Sequence, residues 1–211
     1  MPIDHADDVP SPIDLRDEAD AHTWVREADL KRPWRTQLRD AFAAQLAAMI
    51  PPAHRVLELG SGPGLLAERI LRSCAVERYT LFDFSPPMLA ISRERLGANP
   101  ASRFVLGDFK QPDWMRELDA PFDAVVTMQA VHEIRHKRHV PGVYRQIHGI
   151  LRPGGRLLVC DHNPLDTSAR AAALHATEAE QHAALASAGF VGVTTHLVID
   201  LLYLCSGERA A

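Results

Sequence analysis

The chain has 211 residues, 46% hydrophobic and 24% charged, which suits one globular domain large enough for a continuous core and a ligand cleft. A formal net charge of −4, with Lys and Arg dispersed among acids, argues against a general nucleic-acid binder. No apolar run approaches membrane-spanning length, and the acidic start Met1-Pro2-Ile3-Asp4 lacks the positive and apolar regions of a leader, so a cytoplasmic chain that does not engage membranes is expected.

Residues 1 to 14, with Pro2, Pro10 and Pro12 among acids, read as an extended or flexible lead-in without chemistry of its own. From Leu15 to Ile50 apolar residues recur at spacings of three and four, predicting two helices broken near Pro33 and stopped by Pro51-Pro52. The pattern then changes. Arg55 to Leu59 reads as a strand running into Gly60-Ser61-Gly62-Pro63-Gly64, followed by a helix through Leu65, Leu66, Ile70 and Leu71. A second strand, Arg78 to Phe82, ends at Asp83, and Ser85-Pro86 is a strong helix start: a side-chain cap, then a proline whose missing N–H costs nothing there.

Strands at Ser102 to Leu106, Phe122 to Thr127 and Arg156 to Cys160 alternate with helical stretches such as Val140 to Leu151. After an Ala-rich helix around Thr177 to Ala188, two strands between Phe190 and Cys205 run nearly back to back. The expected fold is α/β and Rossmann-like: an open, mainly parallel seven-stranded sheet with helices on both faces, an antiparallel C-terminal hairpin at its edge and an N-terminal helical lid. Residues 1-50 would be the extension and lid, and 51-211 the binding domain. Cys74, Cys160 and Cys205 are too far apart to suggest a ligand pair, so reduced structural thiols are expected.

A glycine turn between a first strand and its helix lets backbone approach a ligand. In open parallel sheets that turn lies where ligands bind, beyond the carboxyl ends of the strands. A carboxylate at the end of the second strand, Asp83, can accept two charge-assisted hydrogen bonds from a ribose diol. A dinucleotide fold uses similar parts, but Gly60, Gly62 and Gly64 fall one residue tighter than its fingerprint.

The segment Val56 to Gly64 resembles the first motif of the class I S-adenosylmethionine-dependent methyltransferases. Leu81 to Leu89, Gly107-Asp108-Phe109, Phe122 to Val126 and Leu151 to Val159 resemble their later motifs in the same order. The resemblance implies S-adenosylmethionine as cofactor, S-adenosylhomocysteine as product, and methyl transfer to an O, N or C nucleophile. It places Glu58, the loop Gly60, Ser61, Gly62 and Gly64, and Gln129 at the methionine end. Asp83 would sit on the ribose, Phe84 and Met88 on the adenine faces, and Asp108 with the Phe109 N–H on the adenine edge. Two other readings stand beside it, a nicotinamide-dinucleotide oxidoreductase and a non-catalytic regulatory subunit that binds the same cofactor.

His132-Glu133-Ile134-Arg135-His136 matches the metalloprotease pattern, but it follows a predicted central strand and Pro141 limits any helix, so no metal is expected. Asp161, His162 and Asn163 at the end of the fifth strand offer thin support for a divalent ion. His132, Glu133 and His162 are instead candidate general bases beside the acceptor. Trp24, Trp34 and Arg35 are placed to cover the cleft, and without a recognition domain or basic groove the acceptor is expected to be a small molecule.

Overall fold

The computed structural model describes residues 7–50 and 52–211; the first six residues of the lead-in and Pro51 lie outside them. The two predicted N-terminal helices are α1 (Glu18–Lys31) and α2 (Arg35–Ala47). The α/β alternation follows as β1 (Arg55–Leu59), α3 (Leu65–Ser73), β2 (Arg78–Asp83), α4 (Pro86–Leu96), β3 (Ser102–Leu106), β4 (Phe122–Met128), α5 (Val140–Ile150) and β5 (Leu151–His162). Then come α6 (Ala169–Leu174), α7 (Glu178–Ser187), β6 (Phe190–Ile199) and β7 (Leu202–Arg209). Ser85 caps α4 as expected, its hydroxyl accepting from the Met88 N–H at 3.1 Å.

The seven strands form one sheet in the order β3-β2-β1-β4-β5-β7-β6. β1 through β5 pair in parallel, while β7 runs antiparallel to both β5 and β6. An antiparallel strand inserted beside β5 departs from the all-parallel dinucleotide arrangement. Strand order reverses between β1 and β4, so the loops following β1, β2, β4 and β5 converge along one edge.

Alternation along β1 sends Leu57 and Leu59 into a core under α5 and α7, and Val56 into a second core under α2 and α3. Because Leu38, Phe42 and Leu46 of α2 are buried in that second core, α2 is structurally part of the domain. Glu58 points the same way as Val56 and is only 2% exposed, meeting the Tyr79 hydroxyl at 2.8 Å. Burial pushes its carboxyl up to about 8, with Asp83 adding to the rise and the Tyr79 hydrogen bond opposing it.

That placement has a pH signature. A carboxyl raised in the folded state takes up a proton on folding, so its favourable contribution is lost as pH climbs from about 4.5 towards 8. Glu58→Gln keeps an acceptor for Tyr79 and removes the titration. Urea melts should show the variant gaining on the parent by on the order of a few kcal/mol between pH 5 and pH 8. Parallel pH profiles would mean that Glu58 is ionised in the fold.

Two elements differ from expectation. β5 begins at Leu151 rather than Arg156, because Phe122 pairs with Leu151 across a register shift before the regular ladder starts. A short helix that was not expected, α6, precedes the Ala-rich helix and ends at His175, while the expected helix around Thr177 to Ala188 is α7, capped by Thr177 through a reciprocal box with Glu180.

Candidate functional site

At the reversal point the chain leaves β1 into a loop where Gly60, Gly62 and Gly64 all take positive φ. Gly60 and Ser61 donate their N–H groups to the Phe82 carbonyl, which folds the loop back over the end of β2. Asp83 fixes its other side, with Oδ2 accepting from the Gly62 N–H at 2.7 Å and Oδ1 from the Ser85 N–H at 2.9 Å. Burial raises the Asp83 carboxyl to about 6 against the pull of those N–H groups. Each oxygen keeps a lone pair for a diol.

A cavity of about 450 Å³ opens here. Gly60, Gly62, Asp83, Phe84 and Met88 line it, and so do His132, Glu133, His162 and His175, with Gln129 joining the two groups through His162. A Cβ on Gly62 would meet nothing within 4 Å, so the loop presents bare backbone to open space. These residues fit a nucleoside with an extended polar tail: backbone cradle, diol acceptor, and apolar surfaces from Phe84 and Met88.

Several expected site residues stand elsewhere. Glu58 does not line the main cavity but borders a smaller recess together with Trp24, Arg35, Gly60, Ser61 and Gly62. Trp34 does not line the cavity and packs on the second core instead. Gly64 starts α3 and packs against Ser92 and Leu96. Ser61 is buried beside a smaller recess, and Phe109 is in the core under β2. Asp108 stands past Phe84, its Oδ1 accepting from the Lys110 N–H, and Arg16 spans the pair, 4.7 Å over the Phe84 ring and 3.6 Å from the Asp108 carboxylate.

Trp24 and Arg35 do line the cavity. The Arg35 guanidinium lies 5.0 Å over the Trp24 ring and donates from Nε to Gln129 Oε1 at 2.6 Å. Burial lowers it to about 10, which leaves it charged at neutral pH. The Gln129 amide, on a residue with φ of 56°, meets His162 Nε2 at 2.8 Å.

The lead-in has a structural role that its composition did not reveal. Arg135, buried and at φ 71°, donates to the carbonyls of Val9 at 2.7 Å and Pro10 at 2.8 Å, while the Val9 N–H donates to the Arg135 carbonyl. Ser11, Pro12, Ile13 and Leu15 thereby form a wall of the cavity.

His132 to His136 do not form a continuous helix. Val131–Ile134 is a single 3-10 turn, Arg135 breaks it in the left-handed region, and His136 turns back on the Arg138 N–H. His132 faces β5 instead: Nδ1 is 2.7 Å from Asp161 Oδ1 and Nε2 is 3.4 Å from Glu133 Oε1. Burial would lower its pKa, but Asp161 and Glu133 overcome that and push it to about 10. His162 is lowered to about 4 by burial, with His132 adding to the fall and Asp161 opposing it.

The model of the methyltransferase domain matches residues 56–155. An uncharacterized methyltransferase of Mycobacterium tuberculosis is 32% identical over 131 residues, which is 62% of this chain and 61% of that one. The ubiquinone/menaquinone biosynthesis C-methyltransferase UbiE of Agrobacterium fabrum is 29% identical over 146 residues, 67% of this chain and 52% of the relative. The aligned stretches thus span under two thirds of these relatives' lengths. Human N-acetylserotonin methyltransferase, solved in complex with S-adenosylmethionine, superposes with a TM-score of 0.70 at 18% identity over 93% of this chain and 58% of that chain. A chain from the Haloferax volcanii complex of the Trm112 activator with a methyltransferase gives 0.70 at 18% over 96% and 100%. At these identities the superpositions carry the fold alone.

Proposed function

The chain belongs to the class I S-adenosylmethionine-dependent methyltransferases, and from that premise we propose that it transfers the cofactor's methyl group to a nucleophilic O, N or C atom of a small molecule held between the glycine loop and the histidines. One observation carries this reading: a single cavity runs from Gly60, Gly62 and Asp83 to His132, Glu133 and His162 beneath Trp24 and the Ser11–Leu15 wall. An acceptor lodged at the far end would face the methyl group in line, and such positioning is the main demand of the reaction.

When bound, the cofactor supplies a sulfonium-activated methyl with a neutral leaving group. The chain's own residues hold and align. Asp83 accepts the ribose diol, the glycine loop lets backbone approach the tail, and Phe84 and Met88 flank the base. Arg35, locked by Gln129 and stacked on Trp24, offers a charged donor to a carboxylate at the methionine end. At the histidine side of the cavity Glu133 and His162 are unprotonated at neutral pH and able to take a proton, whereas Asp161 and Glu133 keep His132 protonated. The wall clasped by Arg135 excludes water and limits the acceptor to what fits beneath it.

Calorimetric titration with S-adenosylhomocysteine, with NAD as control, tests the cofactor half. Micromolar binding of the first and none of the second is the expected outcome. A screen of small hydroxyl, amine and carbon acceptors for S-adenosylhomocysteine release then tests the acceptor half. Preference for NAD, or turnover only with protein or RNA, would overturn the reading.

A further inference from the structure

Three imidazoles from separate segments meet at the acceptor end. The ring centroids of His132, His162 and His175 lie 5.6, 5.4 and 5.4 Å apart, forming a closed triangle. His132 comes from the turn after β4, His162 ends β5, and His175 sits in the break between α6 and α7. Asp161 lies behind them, bonded to the backbone N–H groups of His132 at 3.0 Å and His162 at 2.8 Å.

The cluster is incompletely satisfied. His175 is 7% exposed and His162 8%, and Nδ1 of each is buried without a hydrogen-bond partner among the described residues. Leaving a buried polar group unmade costs about 1–3 kcal/mol, and native structures seldom keep such groups unless a ligand meets them. One ligand-capable atom from each of His132, Asp161 and His175 lies within 4.8 Å of the others. The His132 Nδ1 to Asp161 Oδ1 contact of 2.7 Å is a hydrogen bond, so an ion with bonds of about 2.1 Å would displace the shared proton and spread the two atoms to about 3.4 Å. Donor atoms up to 4.8 Å apart must draw in to about 3.4 Å for all three to reach one ion.

We propose that His132, Asp161 and His175 bind a divalent first-row transition-metal ion. Two imidazoles and one carboxylate suit zinc, iron(II) or cobalt(II), whereas magnesium and calcium prefer all-oxygen shells. His132 and His175 both line the main cavity, so coordination positions not filled by the protein open onto the acceptor end. There the ion would hold an acceptor oxygen or nitrogen atom and ease loss of its proton to solvent or to the neutral His162 imidazole; the freed lone pair then takes the methyl group and S-adenosylhomocysteine leaves. That role rests on the methyltransferase reading; the binding itself does not. The site uses His132 but not His136, so it is distinct from the metalloprotease pattern in the sequence.

Cobalt(II) is the probe. Chelator-stripped full-length protein titrated with cobalt chloride should develop d–d absorption saturating at one equivalent, and zinc should bleach it. His175→Ala and His175→Gln should each weaken cobalt binding by roughly 100-fold or more, while His136→Ala leaves it unchanged. S-adenosylhomocysteine affinity and circular dichroism are recorded on the same samples. Native dichroism with cobalt binding lost in both His175 variants supports the site. No d–d absorption in the parent, or equal affinity in the parent and both His175 variants, overturns it. Because homocysteine-nucleoside binding is read separately, failure of the metal site and failure of the methyltransferase reading give different results.

Discussion

Asp83→Ala should weaken S-adenosylhomocysteine binding by roughly 100-fold or more, the largest single-residue effect on cofactor affinity expected in this chain. Two losses coincide. Hydrogen bonds to a charged acceptor contribute about 1.5–3 kcal/mol each, and a ribose diol makes two. The same carboxylate holds the Gly62 and Ser85 N–H groups, so its removal also frees the loop and the start of α4. Asp83→Asn separates these losses: it keeps the shape, but its amide nitrogen donates and cannot accept, so either the Gly62 or the Ser85 N–H loses its partner. It should therefore fall between parent and Ala. With the parent carboxyl held near 6, affinity should be flat above that pH and decline below it as the acceptor is protonated. The Asn variant should lack that decline. Calorimetry across pH 5 to 8 reads all three, and an Ala variant within threefold of the parent would remove Asp83 from the ribose.

The cofactor half was legible in the sequence because local chemistry writes it. A buried parallel strand is mostly apolar, a loop that approaches a ligand needs glycine, and a helix start needs a cap; Val56–Gly64, with Glu58 as the one polar strand residue, and Asp83–Pro86 carry all three in order. The acceptor half is assembled by topology. His132, Asp161 and His175 are brought together only because the loops after β4 and β5 share an edge and a helix break projects back over them. His175 had one local signal, Thr177 followed three residues later by Glu180, which marks a new helix and therefore a break just before it. The Arg135 clasp left no signal, since its partners are backbone carbonyls that any residue supplies. Strand alternation, counted from Val56, puts Glu58 on the α2 side of the sheet, where it borders the recess shared by Gly60, Gly62 and Arg35.

Gly60→Ala tests how the two halves are joined. A Cβ there would stand 2.3 Å from the Ala130 Cβ, at a φ of 67°. An L-residue in this region costs roughly 1–2 kcal/mol, and forcing extra carbon into a packed contact adds about 1–3 kcal/mol. Neither side can easily retreat: the Gly60 and Ser61 N–H groups are tied to Phe82, and the Gln129 N–H just before Ala130 is tied to Cys160 at 2.7 Å. The Tm should fall by roughly 5–15 °C, and cofactor binding should fall with it. Gly62→Ala is the matched contrast, with φ of 52° but nothing within 4 Å. Backbone strain alone should lower its Tm by roughly 2–6 °C, while the new methyl group intrudes on the space above the loop and weakens S-adenosylhomocysteine binding more than stability. Equal Tm losses in the two variants would mean that the loop does not rest on Ala130. The glycine loop and the turn carrying His132 would then move independently, and the acceptor end would not be aligned by the cofactor end.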